Sequence, residues 1–162
     1  MEQVTIALGS NLGNRLAVIR EAGKFLREVS KSDIIKSSIW ESEPIGGALY
    51  SFLNCTVRIE TSLSPIKLLD SLKKQEVLAG REKQSKRWAP RILDLDIIRY
   101  GNLTFKKNEL IIPHSEYQNR LFVLLPMQET DPDWIDPVTG SGLRELIHNA
   151  PKMAIHKTDH SW

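Results

Sequence analysis

Apolar and polar positions alternate over residues 4–8 and predict a first strand, which Gly9-Ser10-Asn11-Leu12-Gly13-Asn14 ends with turn-forming residues. From Arg15 to Val29 the repeat lengthens. Leu16, Ile19, Leu26 and Val29 form one stripe, flanked by Val18, Ala22 and Phe25, at the spacing of an amphipathic helix. Strand-like runs return over 34–40 and 52–61, and Leu53, Cys55, Val57 and Ile59 share one face of the second. Between them Glu43-Pro44-Ile45-Gly46-Gly47 reads as a loop, because proline lacks a ladder donor and paired glycines weaken a strand. Ser64 as N-cap, Pro65 at the first helical position and Gly80 as a stop predict a second helix over 65–79, with Leu68, Leu69, Leu72 and Ala79 inward. Strands are expected at 92–100 and 103–105, joined by a Gly101-Asn102 hairpin turn, with a short apolar run at 110–112. A helix over 122–129, a proline-rich loop over 131–140 and a short helix over 143–148 complete the chain. The order β-α-β-β-α-β with later additions predicts an α+β sandwich, an antiparallel sheet with its helices packed on one face, as a single domain over 1–162.

Composition bounds the function more than the fold. With 162 residues, 41% hydrophobic and 26% charged, the chain suits one globular domain with a real core. A net charge of +2 is too small to mark a nucleic-acid binder, which needs a basic stripe. The one cysteine, Cys55, falls within an apolar alternation and reads as a small buried hydrophobe in a reducing compartment. No basic stretch leads into a long apolar segment, and no apolar run is long enough to span a bilayer, so a cytoplasmic protein away from membranes is expected.

The charge is unevenly placed. Arg81, Lys83, Lys86, Arg87 and Arg91 crowd a segment with almost no apolar residues, just ahead of Asp94 and Asp96. Residues spaced by two on a strand share a face, so the two carboxylates project together while Leu93, Leu95 and Ile97 fill the other side. Such a pair suits Mg²⁺, which takes one or two carboxylates along with phosphate oxygens and water, and it also suits an ordinary solvated sheet face. The basic segment favours the first reading, since arginine forks match phosphate oxygens and phosphoryl transfer rests on positioning and charge neutralisation. Trp88 inside that segment needs a core edge or a ligand ring to pack on. Glu76 falls on the inward stripe of the second helix, where a carboxylate wants a partner. His114 and Arg120 are candidate phosphate contacts. Asn54, with Phe52 and Phe122, offers an amide and two ring faces to a flat heterocycle, or equally two core aromatics and a hydrogen-bonded asparagine. Walker-type glycine loops, Cys/His metal spacings and a glycine-flanked nucleophilic serine are all missing.

Arg87-Trp88-Ala89-Pro90-Arg91-Ile92-Leu93-Asp94-Leu95-Asp96-Ile97-Ile98 closely resembles the signature of the 6-hydroxymethyl-7,8-dihydropterin pyrophosphokinases. The run Ala7 to Arg15, the Phe52-Leu53-Asn54 triplet, Pro113-His114 and Asn119-Arg120 are similar to that family in order and spacing, over nearly the whole chain. The resemblance implies a ferredoxin-like α+β fold and transfer of pyrophosphate from ATP to the pterin's hydroxymethyl group, with release of AMP, in folate biosynthesis. It implies two Mg²⁺ ions on Asp94 and Asp96, with Asp94 also beside the pterin and Asp96 a candidate proton acceptor. Arg81 and Arg91 would assist transfer, and Trp88 would close the site. Glu76, Trp88, Arg91, Ile97, His114 and Arg120 would line the ATP side. Ser42, Ile45, Phe52, Asn54 and Phe122 would line the pterin side. Ala89, Lys83 and Ser115 depart from the familiar pattern. The expected partners are the two small molecules alone, with no nucleic acid and no membrane, and the expected state is a monomer. A rival from another class is an RNA-binding module built on an open sheet, against which the two aspartates argue because they would repel a phosphate backbone.

Overall fold

The computed structural model describes residues 1–44, 49–80 and 92–162. Its elements run β1 (Glu2–Ser10), α1 (Arg15–Val29), β2 (Ile35–Lys36), β3 (Trp40–Ser42), β4 (Phe52–Thr61), α2 (Pro65–Leu78), β5 (Asp94–Tyr100), β6 (Phe105–Lys107), β7 (Leu110–Ile112), α3 (Leu121–Thr130), α4 (Leu143–Asn149) and β8 (Ile155–Lys157). A six-stranded sheet in the order β5-β1-β4-β3-β8, with β2 also pairing β4, is antiparallel throughout, and β6 and β7 form a separate ribbon. No helix among the described residues is long and apolar enough to cross a membrane.

Local chemistry places the helix ends. The Asn14 side chain accepts from the Ala17 amide at 3.1 Å and caps α1, and Ser64 accepts from the Lys67 amide at 3.3 Å and caps α2 ahead of Pro65. Gly80, at φ +105°, takes the left-handed conformation that stops α2. Ile19, Ala22 and Leu26 of α1 and Leu68 and Leu72 of α2 bury against Val4, Ile6 and Leu8 of β1, Leu53, Cys55, Val57 and Ile59 of β4, and Leu95 and Ile97 of β5.

The expectation of helices on one face holds for α1 and α2 and is corrected by the later pair. α3 and α4 form a second apolar cluster that includes Ala7 of β1 and Ile98 of β5, on the opposite face of the sheet. The reason is in the sequence of α3: Leu121, Val123, Leu124, Pro126 and Met127 are all buried, so the helix needs cover on more than one side and takes the sheet and α4 together. A β-bulge makes the floor continuous. Thr5 faces Arg99 but Ile6 faces Ile97, so Ile98 is an extra residue, and both Ile98 and Arg99 turn toward α3.

Three further differences have local causes. The 34–40 run splits into β2 and β3 because the Ser37 hydroxyl accepts from the Thr56 amide at 2.9 Å, replacing a backbone acceptor in the ladder. The 103–105 segment does not pair with β5. Gly101 at φ +54° turns the chain away, and Phe105 pairs with Ile112 across a tight turn at Asn108, also at φ +54°. β8 was not expected from the sequence, and its antiparallel pairing with β3 extends the sheet.

Candidate active site

Strand register assembles one end of the α3-side face. Asp94 stands opposite Gly9, Gly9 opposite Asn54, and Asn54 opposite Trp40, forming a row across four strands. In the next row Asp96 stands opposite Ala7, and Ala7 opposite Thr56. Both carboxylates are partly exposed, whereas Leu93, Leu95 and Ile97 are 3% exposed or less. The alternation inferred from spacing is therefore what β5 adopts down to the bulge. Gly9 matters for what it lacks: a Cβ there would come within 3.8 Å of Asn54 Oδ1 and Phe52 Cδ1, filling the space between Asp94 and the asparagine. Sequence reasoning treated Gly9 only as the end of a strand. A glycine within a strand's alternation also marks a place where something approaches the backbone, and that was the available signal.

Asn54 is 3% exposed, and its Nδ2 donates to Ser42 Oγ at 2.8 Å and, at 3.4 Å, to the Phe52 carbonyl, which leaves Oδ1 uncommitted by those bonds. Phe52 lies across the ladder from Ser42, and its ring is partly exposed, as is that of Phe122 on the first turn of α3. Arg120 sits at the N-terminal end of α3, where its carbonyl accepts from the Val123 and Leu124 amides and its guanidinium lies 5.7 Å over the Phe122 ring. The helix end and the cation add positive charge at the same place.

His114 is strapped to the bulge through its own amide, which donates to the Ile98 carbonyl at 2.9 Å. Its Nδ1 accepts from the Glu116 amide at 3.1 Å, which places the proton of the neutral ring on Nε2. Burial, reinforced by Arg120, brings its pKa down to about 4 against the opposing pull of Asp94 and Glu116. At neutral pH the side chain is thus an uncharged N–H donor. In that state it can offer an anion one N–H and no net charge.

Two expected contacts read differently in place. Glu76 is 6% exposed and accepts from the Leu95 amide at 2.8 Å, so it covers a backbone group on β5, an edge strand of the sheet. The Ile97 side chain is 2% exposed and packed opposite Ile6 in the α1–α2 core, so an ATP-side contact at Ile97 is one its backbone makes. Ile45, Arg81, Trp88 and Arg91, with Lys83, Lys86 and Arg87, lie outside the described residues. Asp94, Asp96, His114, Arg120, Phe122, Phe52, Asn54 and Ser42 all occur on or beside one face.

The donor set bears on a metal. Among the described residues no three acidic, histidine or cysteine side chains gather into a cage. Two adjacent carboxylates beside the small residues Gly9 and Ala7 offer hard oxygens and room for other ligands. That fits an ion that keeps waters and shares phosphate oxygens, and Mg²⁺ is such an ion.

The family model described as 7,8-dihydro-6-hydroxymethylpterin-pyrophosphokinase matches residues 5–132. The chain is 40% identical over 134 residues to the 2-amino-4-hydroxy-6-hydroxymethyldihydropteridine pyrophosphokinase of Haemophilus influenzae, covering 82% of this chain and 83% of that protein. It is also 40% identical over 131 residues to the bifunctional protein FolKE of Lactococcus lactis, covering 80% of this chain but only 37% of that protein. The crystal structure of Plasmodium falciparum HPPK-DHPS with SDX-DHP is similar in fold, at a TM-score of 0.71 and 17% identity, over 91% of this chain and 44% of that one. The ferredoxin-like α+β reading stands with that likeness. With its signature strand matched and four-fifths of an enzyme's length covered, the chain belongs to the 7,8-dihydro-6-hydroxymethylpterin-pyrophosphokinase family.

Proposed function

We propose that the chain transfers the terminal diphosphate of ATP to 6-hydroxymethyl-7,8-dihydropterin at the end of the sheet face marked by Asp94, Asp96, His114 and Arg120. The observation that carries this reading is the row Asp94–Gly9–Asn54: a carboxylate, a gap and an amide aligned across three strands, with Phe52 at its margin. The gap takes the flat pterin, and Asn54 and Ser42 supply its hydrogen bonds with backbone near Ile45. Phe52 and Phe122 give ring faces on either side.

Asp94 and Asp96 would hold two Mg²⁺ ions, which would withdraw charge from the phosphates. Arg120 and the amides at the start of α3 attract the phosphates, and the uncharged Nε2–H of His114 donates to a phosphate oxygen without adding to the local positive charge. Arg81, Arg91 and Trp88 complete the ATP side, with Glu76 fixing the edge of β5 on which those contacts rest. The pterin's hydroxymethyl oxygen attacks the β-phosphorus as the bond from that phosphorus to the bridging oxygen of AMP breaks. The hydroxyl proton leaves to Asp96 or to solvent. Alignment and charge neutralisation do the chemistry, as is general for phosphoryl transfer.

The reading includes a cytoplasmic monomer acting on two small molecules. All the assigned residues belong to one chain, and the buried free thiol of Cys55 suits a reducing compartment. The test is AMP formation from ATP with the pterin, with and without Mg²⁺, beside the Asp94→Ala variant. Mg²⁺-dependent AMP and pterin diphosphate in equal amounts, lost in the variant, are the expected result. Folded protein with no turnover would sink the reading.

A further inference from the structure

On the opposite side of the sheet from the pterin-side residues, a single guanidinium nitrogen ties three elements together. Arg15 is the first residue of α1, directly after the segment that follows β1. Its Nη1 donates to Glu41 Oε2 at 2.9 Å, to the Ser51 hydroxyl oxygen at 2.9 Å and to the Ser51 carbonyl at 3.1 Å. The Ser51 hydroxyl closes the triangle by donating to Glu41 Oε2 at 2.7 Å. His156 of β8 brings its Nε2 within 3.7 Å of the other Glu41 oxygen. The Ser51 bond and then the Arg15 charge hold the Glu41 carboxyl below its usual range, so the cluster is ionised at neutral pH.

The position of this triangle gives it a function. Glu41 immediately precedes Ser42, and Ser51 immediately precedes Phe52. Strand alternation sends adjacent residues to opposite faces, so the clamp lies behind the sheet while Ser42 and Phe52 look out in front. β3 has only three residues, and Ser42–Phe52 is the last rung of its ladder with β4. Few backbone bonds fix that rung, so a side-chain tie just behind it has leverage on the spacing in front. Glu41 and Arg15 side chains are 27% and 30% exposed, which leaves the pair shielded enough to hold and not so buried that its desolvation dominates.

Resting on the pyrophosphokinase reading above, we infer that Arg15, acting through Glu41 and Ser51, is a positioning residue for the pterin half of the site. It touches neither substrate. Its work is to hold the Ser42–Phe52 rung, and through the Ser42 bond the Asn54 amide, at the width the pterin needs.

The test is steady-state AMP formation with each substrate varied in turn, in wild type, Arg15→Ala, Arg15→Lys and Ser51→Ala, with thermal melts alongside. Arg15→Ala is expected to raise KM for 6-hydroxymethyl-7,8-dihydropterin about tenfold and KM for ATP less than about twofold, since the lost contacts are charge-assisted and lie on one side only. Arg15→Lys, which keeps the charge but not the fork, recovers part of that loss. Ser51→Ala gives a smaller rise of about threefold and carries the same test if Arg15→Ala melts below the assay temperature. A folded variant in which both KM values rise equally, or kcat alone falls, overturns the inference and leaves Arg15 a stability residue. No AMP from wild type overturns the pyrophosphokinase reading itself, whereas wild-type turnover with an unchanged pterin KM in the variants overturns only the present inference.

Discussion

The α3-side face of the sheet carries acidic groups at both ends, and they are handled in opposite ways. At one end Asp131 is 1% exposed, and every part of it is engaged: Thr5 Oγ1 donates at 2.6 Å, Thr130 Oγ1 at 2.8 Å and Arg99 Nε at 3.0 Å, with Arg58 Nη1 3.9 Å away. At the other end Asp94 and Asp96 are partly exposed, and the residues opposite them on β1, Gly9 and Ala7, carry no polar side chain. A buried carboxylate survives only when its lone pairs are met, and Asp131 is met from three elements. A carboxylate that is to bind a cation has to keep oxygens facing solvent. Burial and the identity of the cross-strand partner, more than the residue type, separate the aspartate that holds the fold from the pair proposed to hold the metal.

That contrast breaks most sharply at the site end. Asp94→Ala or Asp96→Ala should cut turnover by at least about a thousandfold, with the melting temperature within a few degrees of wild type, because charge stabilisation is lost and no packed core is opened. AMP assays and calorimetry check both halves; a variant that unfolds instead would erase the distinction. Asp131→Ala should do the reverse. Leaving Arg99 buried without its carboxylate costs about 3–5 kcal/mol, which denaturant unfolding would read as a lowered midpoint, while the substrate KM values of the folded fraction stay near wild type. A third test sharpens the comparison by filling the gap between the two halves of the site. Gly9→Ala adds a methyl at ordinary contact distance from Asn54 and Phe52, so it should cost little stability yet raise the pterin KM several-fold.

A last effect is expected from pH. His114 has a folded-state pKa of about 4, below the ordinary 6.5, so between these values the unfolded chain binds the proton and the folded one does not. Stability from this group is complete above pH 6.5 and is lost as the pH falls through 4, by on the order of 2 kcal/mol for a side chain that is partly exposed. Denaturant midpoints of the metal-free protein from pH 7 to 4 should fall less steeply in His114→Asn than in wild type.

Much of this was legible before any coordinates. The bounds of α1 and β4 follow from Asn14 and from the alternation of Leu53, Cys55, Val57 and Ile59, because caps and two-residue periods are local properties. The shared face of Asp94 and Asp96 followed from the same arithmetic. What stayed hidden depends on distant parts of the chain. Nothing near Ser37 says that its hydroxyl will replace a backbone acceptor for Thr56, and nothing near residues 155–157 says that β3 waits there as a partner strand. The second helical layer was missed because an all-round apolar segment such as α3 shows that it is buried but not against what. The side-chain fate of Ile97 is readable from the same alternation that places the aspartates. Ile45, Arg81, Trp88 and Arg91 lie outside the described residues.

The bulge at Ile98 sets a constraint on length as well as shape. Above it, β5 presents Asp94 and Asp96 to the α3 side of the sheet; past it, Ile98 and Arg99 face that same side, as floor for α3 and anchor for Asp131. Removing or adding one residue between Asp96 and Arg99 would leave only one of the two ends in phase, turning either the aspartates or the arginine into the opposite core. Substitutions along β5 can be absorbed one by one, but its residue count cannot change without a compensating change on the other side of the bulge. In a collection of descendants of this chain, insertions and deletions should therefore gather in the segments around the strand and stay out of residues 94–100.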